Sequence, residues 1–269
     1  MIDSVLINTD IQKKWIKKFQ SIEETFKARA TENDKQSRFP YENIEWLVKE
    51  GYSLLTLPVE YGGEGATIED MVVLQTYLGA NDGATALSIG WHLSVVGQIY
   101  EQTMWNQDML NRFAKDIESG ALVNRAVSEA DTGSPTRGGR PATHAVKQDD
   151  GYLLNGVKTF TMSKALTHYI VAAYVADLQE VGFFLVPREF DGVEIAENWN
   201  MVGMRATESH DLVLNDVWVP KDFFVESKRK PQPNGWILHI PSTYLGIAQA
   251  ARNYAIDFAT SYGPNSIEG

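Results

Sequence analysis

The chain contains no cysteine. That absence removes disulfide frameworks, thiolate catalysis and Cys-ligated metal together. Positive charge is also scarce. Lys and Arg number 24 against 35 Asp and Glu, a formal net charge of −11, so the surface as a whole repels nucleic acid and anionic lipid. A local basic pocket for a phosphorylated small ligand is compatible with that balance. The five histidines (His92, His144, His168, His210, His239) are scattered, with no pair at a metal-binding spacing, and no metal centre is expected. Long apolar runs are missing too. The richest, over residues 84–96, is broken by Ser88, Gly90, His92 and Ser94 and reads as a buried helix, not a bilayer span. The opening MIDSVLINTDIQKKWIKK lacks the apolar centre of a secretory signal. There is no GxGxxG after a strand, no GxxxxGK[ST] and no nucleophile elbow. The expectation is a cytoplasmic protein with no nucleic-acid partner and no membrane insertion.

What is present is an ordinary globular mixture, 43% apolar and 22% charged over 269 residues, enough for more than one compact layer. Three zones follow one another. Residues 1–120 carry helical periodicity and are expected to form an N-terminal all-α domain. Ile11, Trp15, Phe19, Ile22 and Phe26 recur at three- and four-residue steps, and Pro40 opens a second helix with Ile44, Leu47 and Val48 on one side. A glycine-broken loop, LPVEYGGEGATIED, leads to Thr67, which is suited to cap the next helix. Two more helices are expected near 84–101 and 105–118.

Residues 121–228 change to short extended runs at 121–128, 143–147, 152–154, 169–175, 182–186 and 211–219. Turn signals lie between them at Asp149-Asp150-Gly151, Asn155-Gly156 and Asp191-Gly192. That spacing predicts an antiparallel β-barrel or sandwich, so the fold class is α+β with several domains. After Pro231 and Pro233 a helical pattern returns through Leu238, Leu245, Ile247, Tyr254 and Phe258, apolar on more than one side. Residues 229–269 therefore read as the first helix of an incomplete C-terminal helical domain, one that calls for partner helices.

The stretch Ala126-Val127-Ser128-Glu129-Ala130-Asp131-Thr132-Gly133-Ser134 places a Gly/Ser/Thr turn after a strand, where backbone N–H groups can meet a phosphate or the edge of a flat heterocycle. It is followed by Asn155-Gly156-Val157-Lys158-Thr159-Phe160-Thr161-Met162-Ser163, by Gly203-Met204-Arg205-Ala206-Thr207 and by Leu214-Asn215-Asp216-Val217-Trp218-Val219-Pro220. In this order and spacing the four resemble the middle domain of acyl-CoA dehydrogenases. Leu57-Pro58-Val59-Glu60-Tyr61-Gly62-Gly63 upstream and Gly246-Ile247-Ala248-Gln249-Ala250-Ala251 downstream extend the resemblance over about residues 39–262.

The resemblance implies a helical domain, a β domain and a C-terminal four-helix bundle, usually assembled as a homo-oligomer (a dimer or tetramer). It implies FAD, with FMN as the alternative, and an acyl-CoA or related substrate, with an electron-acceptor flavoprotein as a possible partner. Val127 and Ser128 match the pair that holds the flavin pyrimidine edge. Gly133 and Ser134 fall near the FAD and CoA phosphates, Ser134 being also a substrate contact. Phe160 stands where many members stack an aromatic ring on the flavin, and Met162 where many carry a threonine hydroxyl, with Ser163 after it. His239 lies near the expected acyl site. Glu129 reads as a structural carboxylate, and Arg205 as a structural residue pairing with a carboxylate of the β domain. The catalytic base is expected beyond Gly269; the other position used in the family aligns with Trp236, which is no base. The expected chemistry is α,β-dehydrogenation of an acyl-CoA thioester. Two further readings keep the fold: a monooxygenase using reduced FMN and oxygen, which the Gly203-Met204-Arg205-Ala206-Thr207 and Ser209-His210-Asp211 segment favours together with Phe160 and Met162, and a degenerate, non-catalytic acyl-CoA-binding member.

Overall fold

A computed structural model describes residues 7–132, 139–162, 165–227 and 232–262. The first zone is helical: α1 (Asp10–Gln36), α2 (Tyr41–Lys49), α3 (Ile68–Asn81), α4 (Gly83–Glu101) and α5 (Gln107–Glu118). Local chemistry accounts for where they start. Thr9 and Gln12 form a reciprocal capping box at the head of α1, and Thr67 and Asp70 do the same for α3. Each such cap is worth about 1 kcal/mol. Trp15, Phe19 and Phe26 lie on the buried side of α1, and Tyr52 packs edge-on against both Trp15 (4.8 Å) and Phe19 (5.3 Å).

The second zone is one sheet built from β1 (Val123–Ala126), β2 (His144–Gln148), β3 (Gly151–Lys158), β4 (His168–Val175), β5 (Glu180–Pro187), β6 (Val193–Ala196), β7 (Asp211–Pro220) and β8 (Phe224–Glu226). The order is β6-β7-β3-β2-β4-β5-β8, with β1 laid beside β4. Among the described residues five pairings are antiparallel, as expected, but β1 and β2 both run parallel to β4. They share it end to end: β1 pairs with residues 168–171 and β2 with 174–175. Enclosed in this way, β4 buries Tyr169, Ile170, Val171, Ala172, Ala173 and Val175, a continuous run instead of an alternating one.

The Asp149-Asp150-Gly151 signal is the β2–β3 hairpin turn, with Asp149 at φ +51°. Asn155-Gly156, in contrast, is not a turn. It lies inside β3 at a β-bulge, where the register against β7 shifts between Leu154 and Gly156. Asn155 is fastened across the strands, donating to Asp216 Oδ1 and accepting from the Asp216 N–H, both at 2.9 Å. Gly156, at φ +149°, passes so close to Thr143 that a Cβ would lie 2.6 Å from its Cα. The same dipeptide chemistry that makes hairpins serves here to fit two strands together.

The chain then returns to the helices. After a short 3-10 turn (Gly235–Leu238), α6 (His239–Tyr262) packs on α3 and α4. Gly79 and Gly246 let α3 and α6 touch backbone to backbone: a Cβ on Gly246 would stand 2.2 Å from Thr76 O, and one on Gly79 2.6 Å from Thr243 O. The expected partner helices for α6 are thus partly the N-terminal ones. Tyr244, Leu245, Tyr254, Ile256 and Phe258 stay exposed on its remaining surface.

Candidate functional site

The two segments singled out in the sequence meet. β1 ends at Ala126 and delivers Val127 and Ser128, half-buried, to the end of β3, where the Thr159 N–H donates to Ser128 O at 2.9 Å. The next residue, Phe160, adopts φ +59°, a left-handed conformation that a bulky side chain rarely takes and that turns its ring outward to 60% exposure. Thr161 then re-anchors the chain: its N–H and Oγ1 both reach His210 O, at 3.2 and 2.9 Å. Met162 is buried. Gly133, Ser134 and Ser163 lie outside the described residues.

A second aromatic completes the edge of this surface. Trp199, assigned no role in the sequence reading, stands perpendicular to Phe160 with ring centroids 6.0 Å apart. It is held by His210, whose Nδ1 accepts from the Trp199 N–H at 2.9 Å. His210 therefore spends one ring nitrogen and its carbonyl on positioning the Phe160 and Trp199 segments. Little in the local sequence marks Trp199, which lies between two asparagines four residues ahead of Gly203.

Glu129 bears out the structural reading. It is buried and accepts from Thr132 Oγ1, the N–H groups of Ala142 and Thr143, and Lys158 Nζ. Burial raises its carboxyl, but the Lys158 ammonium and the Thr132 and Thr143 donors outweigh that and hold it down to about 2. For Lys158 burial works against the ammonium while Glu129 supports it. The net direction for Lys158 is downward, and the 2.7 Å contact with a carboxylate that gathers four donors is what favours its charged form. Lys158 was legible only as part of a motif, because a lysine is normally read as a solvated residue.

Arg205 corrects an expectation. Its partner is Asp34 on α1, a carboxylate of the helical zone, and the contact is exposed. The pair ties the loop after β6 to the N-terminal helices and contributes nothing large. Glu208 makes a similar link, accepting from the Phe39 N–H at 3.1 Å.

The junction of α3, α4 and α6 holds His239. It is fully buried, edge-on to Trp91 at 4.5 Å, and both ring nitrogens lack a hydrogen-bond partner among the described residues. Burial pushes its pKa down to about 3, so it is neutral. Gln75, also fully buried, has both amide atoms unsatisfied among the described residues. The two side chains converge on Gly90, where a Cβ would meet His239 Nδ1 at 2.8 Å and Gln75 Oε1 at 3.4 Å. Trp236 is packed the same way against Gly97, its indole N–H donating to Glu101 Oε2 at 2.8 Å. It is a buried aromatic, as far from a proton acceptor as the sequence suggested.

His92 is a different case. Its Nε2 lies 2.9 Å from Ser53 O, and its Nδ1 accepts from the Val123 N–H at 3.2 Å, which fixes a neutral tautomer and pins α4 to β1. Burial lowers its pKa to about 4. His144 is exposed, and His168 packs beside Asp116 and Phe113. Among the described residues no cluster of three potential metal ligands occurs, and no helix is long and apolar enough to cross a membrane.

These features define a β domain whose strand ends present a polar edge and an aromatic face, flanked by helices, and the chain belongs to the acyl-CoA dehydrogenase family. The N-terminal domain of acyl-CoA dehydrogenases matches residues 10–108, and their middle domain residues 124–217. YdbM of Bacillus subtilis (strain 168), provisionally named an acyl-CoA dehydrogenase, is 50% identical over 99% of this chain and 71% of its own length. The nitrososynthase of Micromonospora carbonacea var. africana superposes with a TM-score of 0.81 at 26% identity, over 95% of this chain and 68% of that one. Butyryl-CoA dehydrogenase of Megasphaera elsdenii shares the fold, with a TM-score of 0.82 at 22% identity over 94% and 70%. The chain spans 64% of the short-chain-specific acyl-CoA dehydrogenase of Clostridium acetobutylicum. Other structures of this fold hold FMN or reduced FAD.

Proposed function

We propose that this chain forms the flavin-holding part of an FAD-dependent oxidoreductase that removes hydrogen from the α and β carbons of an acyl-CoA thioester. The observation that carries the reading is the hydrogen bond from Thr159 to Ser128. It sets a polar edge (Val127 and Ser128) beside an exposed aromatic face (Phe160), the two contacts a flat heterocycle of amide edge and apolar plane needs. The residues present fit a flavin: Thr159 Oγ1, buried at this seam, has no partner among the described residues and can donate to a ligand acceptor.

In this reading the Val127 and Ser128 backbone and the Ser128 hydroxyl hold the ring edge, Phe160 and Trp199 cover it, and buried Met162 keeps water away from one side. The flavin, when bound, supplies hydride acceptance. His239 keeps its candidacy as a substrate contact because its two nitrogens are buried and unsatisfied. Gly133, Ser134 and Ser163 remain proposals from the resemblance. The α-proton base is assigned to no residue of this chain. A soluble cytoplasmic homo-oligomer that passes electrons to a flavoprotein partner completes the proposal. The full-length protein is expected to be yellow and to reduce an artificial electron acceptor when given an acyl-CoA; a colourless protein with no affinity for added flavin overturns it.

A second reading is favoured by Met162. Its thioether offers no hydroxyl hydrogen bond to the flavin, and proteins that share this fold include a nitrososynthase and the FMN-bound TdsC of Paenibacillus sp. A11-2. Oxygen uptake with supplied reduced FMN, without any response to acyl-CoA, would select a monooxygenase.

A further inference from the structure

The turn after β1 is gathered around one carboxylate. Glu129 accepts from Thr132 Oγ1 at 2.5 Å, Ala142 N at 2.7 Å, Thr143 N at 3.0 Å and Lys158 Nζ at 2.7 Å, donors that belong to three separate segments. Both charged side chains are removed from water, Lys158 completely. The neighbours of this pair in sequence are the residues of the seam: Ser128 precedes Glu129, Thr159 follows Lys158, and Thr159 N donates to Ser128 O. Residues 128–129 and 158–159 are therefore joined twice, once by backbone and once by side chain.

A buried ion pair is a weak source of stability, since two apolar residues of similar volume often serve a fold as well or better. Its strength lies in directionality: breaking it strands a charge in low dielectric, so the two segments resist any separation or slip. The sheet itself does not need the pair. β3 is already held along its length by β7 and β2, and β4 by β5. Among the described residues the 128–132 turn has only an isolated bridge at Glu129 and is gathered by the carboxylate.

We propose that Glu129 and Lys158 are positioning residues for the flavin: their ion pair holds the Val127–Ser128 edge at a fixed distance from the Phe160 ring, so that a bound flavin is gripped by edge and face together. The inference rests on the flavin reading above. Neither residue need touch the cofactor. Their effect passes through Ser128 on one side and Thr159–Phe160 on the other.

The test is flavin titration of the full-length protein and of its Lys158→Met and Thr132→Val variants, following the dissociation constant and the absorption bands of the bound flavin beside the melting temperature. Lys158→Met is expected to weaken flavin binding at least about tenfold and to shift the bands, because the edge contacts are lost or remade. Thr132→Val, which removes one neutral donor, is expected to weaken it by about threefold. A purely structural pair would lower the melting temperature and leave both affinity and bands of the folded protein unchanged, and that result overturns the proposal. Should Lys158→Met fail to fold, Thr132→Val decides by the same two readouts. A wild-type protein that binds no flavin overturns the proposed function, and this inference with it. A wild type and variants that bind equally well overturn this inference alone.

Discussion

Phe160 and Trp199 stand at right angles, 6.0 Å between ring centroids, and the loop of each is anchored by the same residue, His210. The outward aromatic face is thus a built surface: one ring is set by a left-handed backbone and the other by a histidine nitrogen. Phe160→Ala is expected to weaken flavin binding about tenfold by removing the stacking face, and Trp199→Ala by somewhat less. Fluorescence titration with FAD and FMN checks both, and equal affinity in all three proteins would refute the assignment.

Acid should loosen the molecule in two stages. His92 has a folded pKa of about 4 against an ordinary 6.5, so the unfolded chain binds the proton more readily and stability falls as pH drops from 6.5 to 4. Glu129, held down to about 2, gives stability that is full above its ordinary 4.5 and is lost as pH falls toward 2. Each shift corresponds to at most about 3 kcal/mol. Urea midpoints measured between pH 7 and 4 should decline, and His92→Gln should flatten part of that slope. A slope unchanged by the substitution would show that His92 does not titrate as described.

Gln75 carries two buried amide atoms without partners among the described residues, each at a cost of about 1–3 kcal/mol. Replacing it by an apolar residue of similar size removes that cost. Gln75→Leu is expected to raise the melting temperature of the ligand-free protein by about 2–4 °C. A fall instead would show that the amide is already hydrogen-bonded in the ligand-free protein.

The α3–α6 contact makes the opposite demand, for space. Gly246→Val would drive a side chain into Thr76 O and the backbone of Gly79 and Ala80, and should cost about 2–4 kcal/mol through forced separation of the helices. Thermal unfolding of the variant measures it. An unchanged melting temperature would show that the two backbones are not in close contact.

Much of the helical zone was legible because its determinants are local. Trp15, Phe19 and Phe26 follow one another at steps of four and seven residues on one buried stripe, and Thr67 lies three residues from the aspartate that completes its cap. The sheet was readable where strands are long. β6 and β8 escaped notice because four- and three-residue segments such as Val193–Ala196 and Phe224–Glu226 carry too little alternation to stand out. Asn155-Gly156 was misread because its conformation is decided by Asp216 and Thr143, residues that the dipeptide itself does not reveal.

At the site the same division holds. Ser128 and Phe160 were found through motifs, and their neighbourhood came from the fold. Lys158 and Trp199 acquire meaning only through Glu129 and His210, 29 and 11 residues distant. The partner of Arg205 was assigned to the wrong part of the chain because Asp34 is 171 residues upstream, and charge alone does not choose among many exposed carboxylates.

The parallel placement of β1 against β4 has a kinetic corollary. Leu122 at the mouth of β1 is bonded to Thr167 at the mouth of β4, 45 residues later, so a growing polypeptide exposes β1 unpaired until the second hydrophobic strand has emerged. The edge at Val127 and Ser128 therefore takes its shape only after β4 has emerged. Any lesion that slows β4 from docking would leave the helices formed while this proposed flavin edge is still open to misassociation.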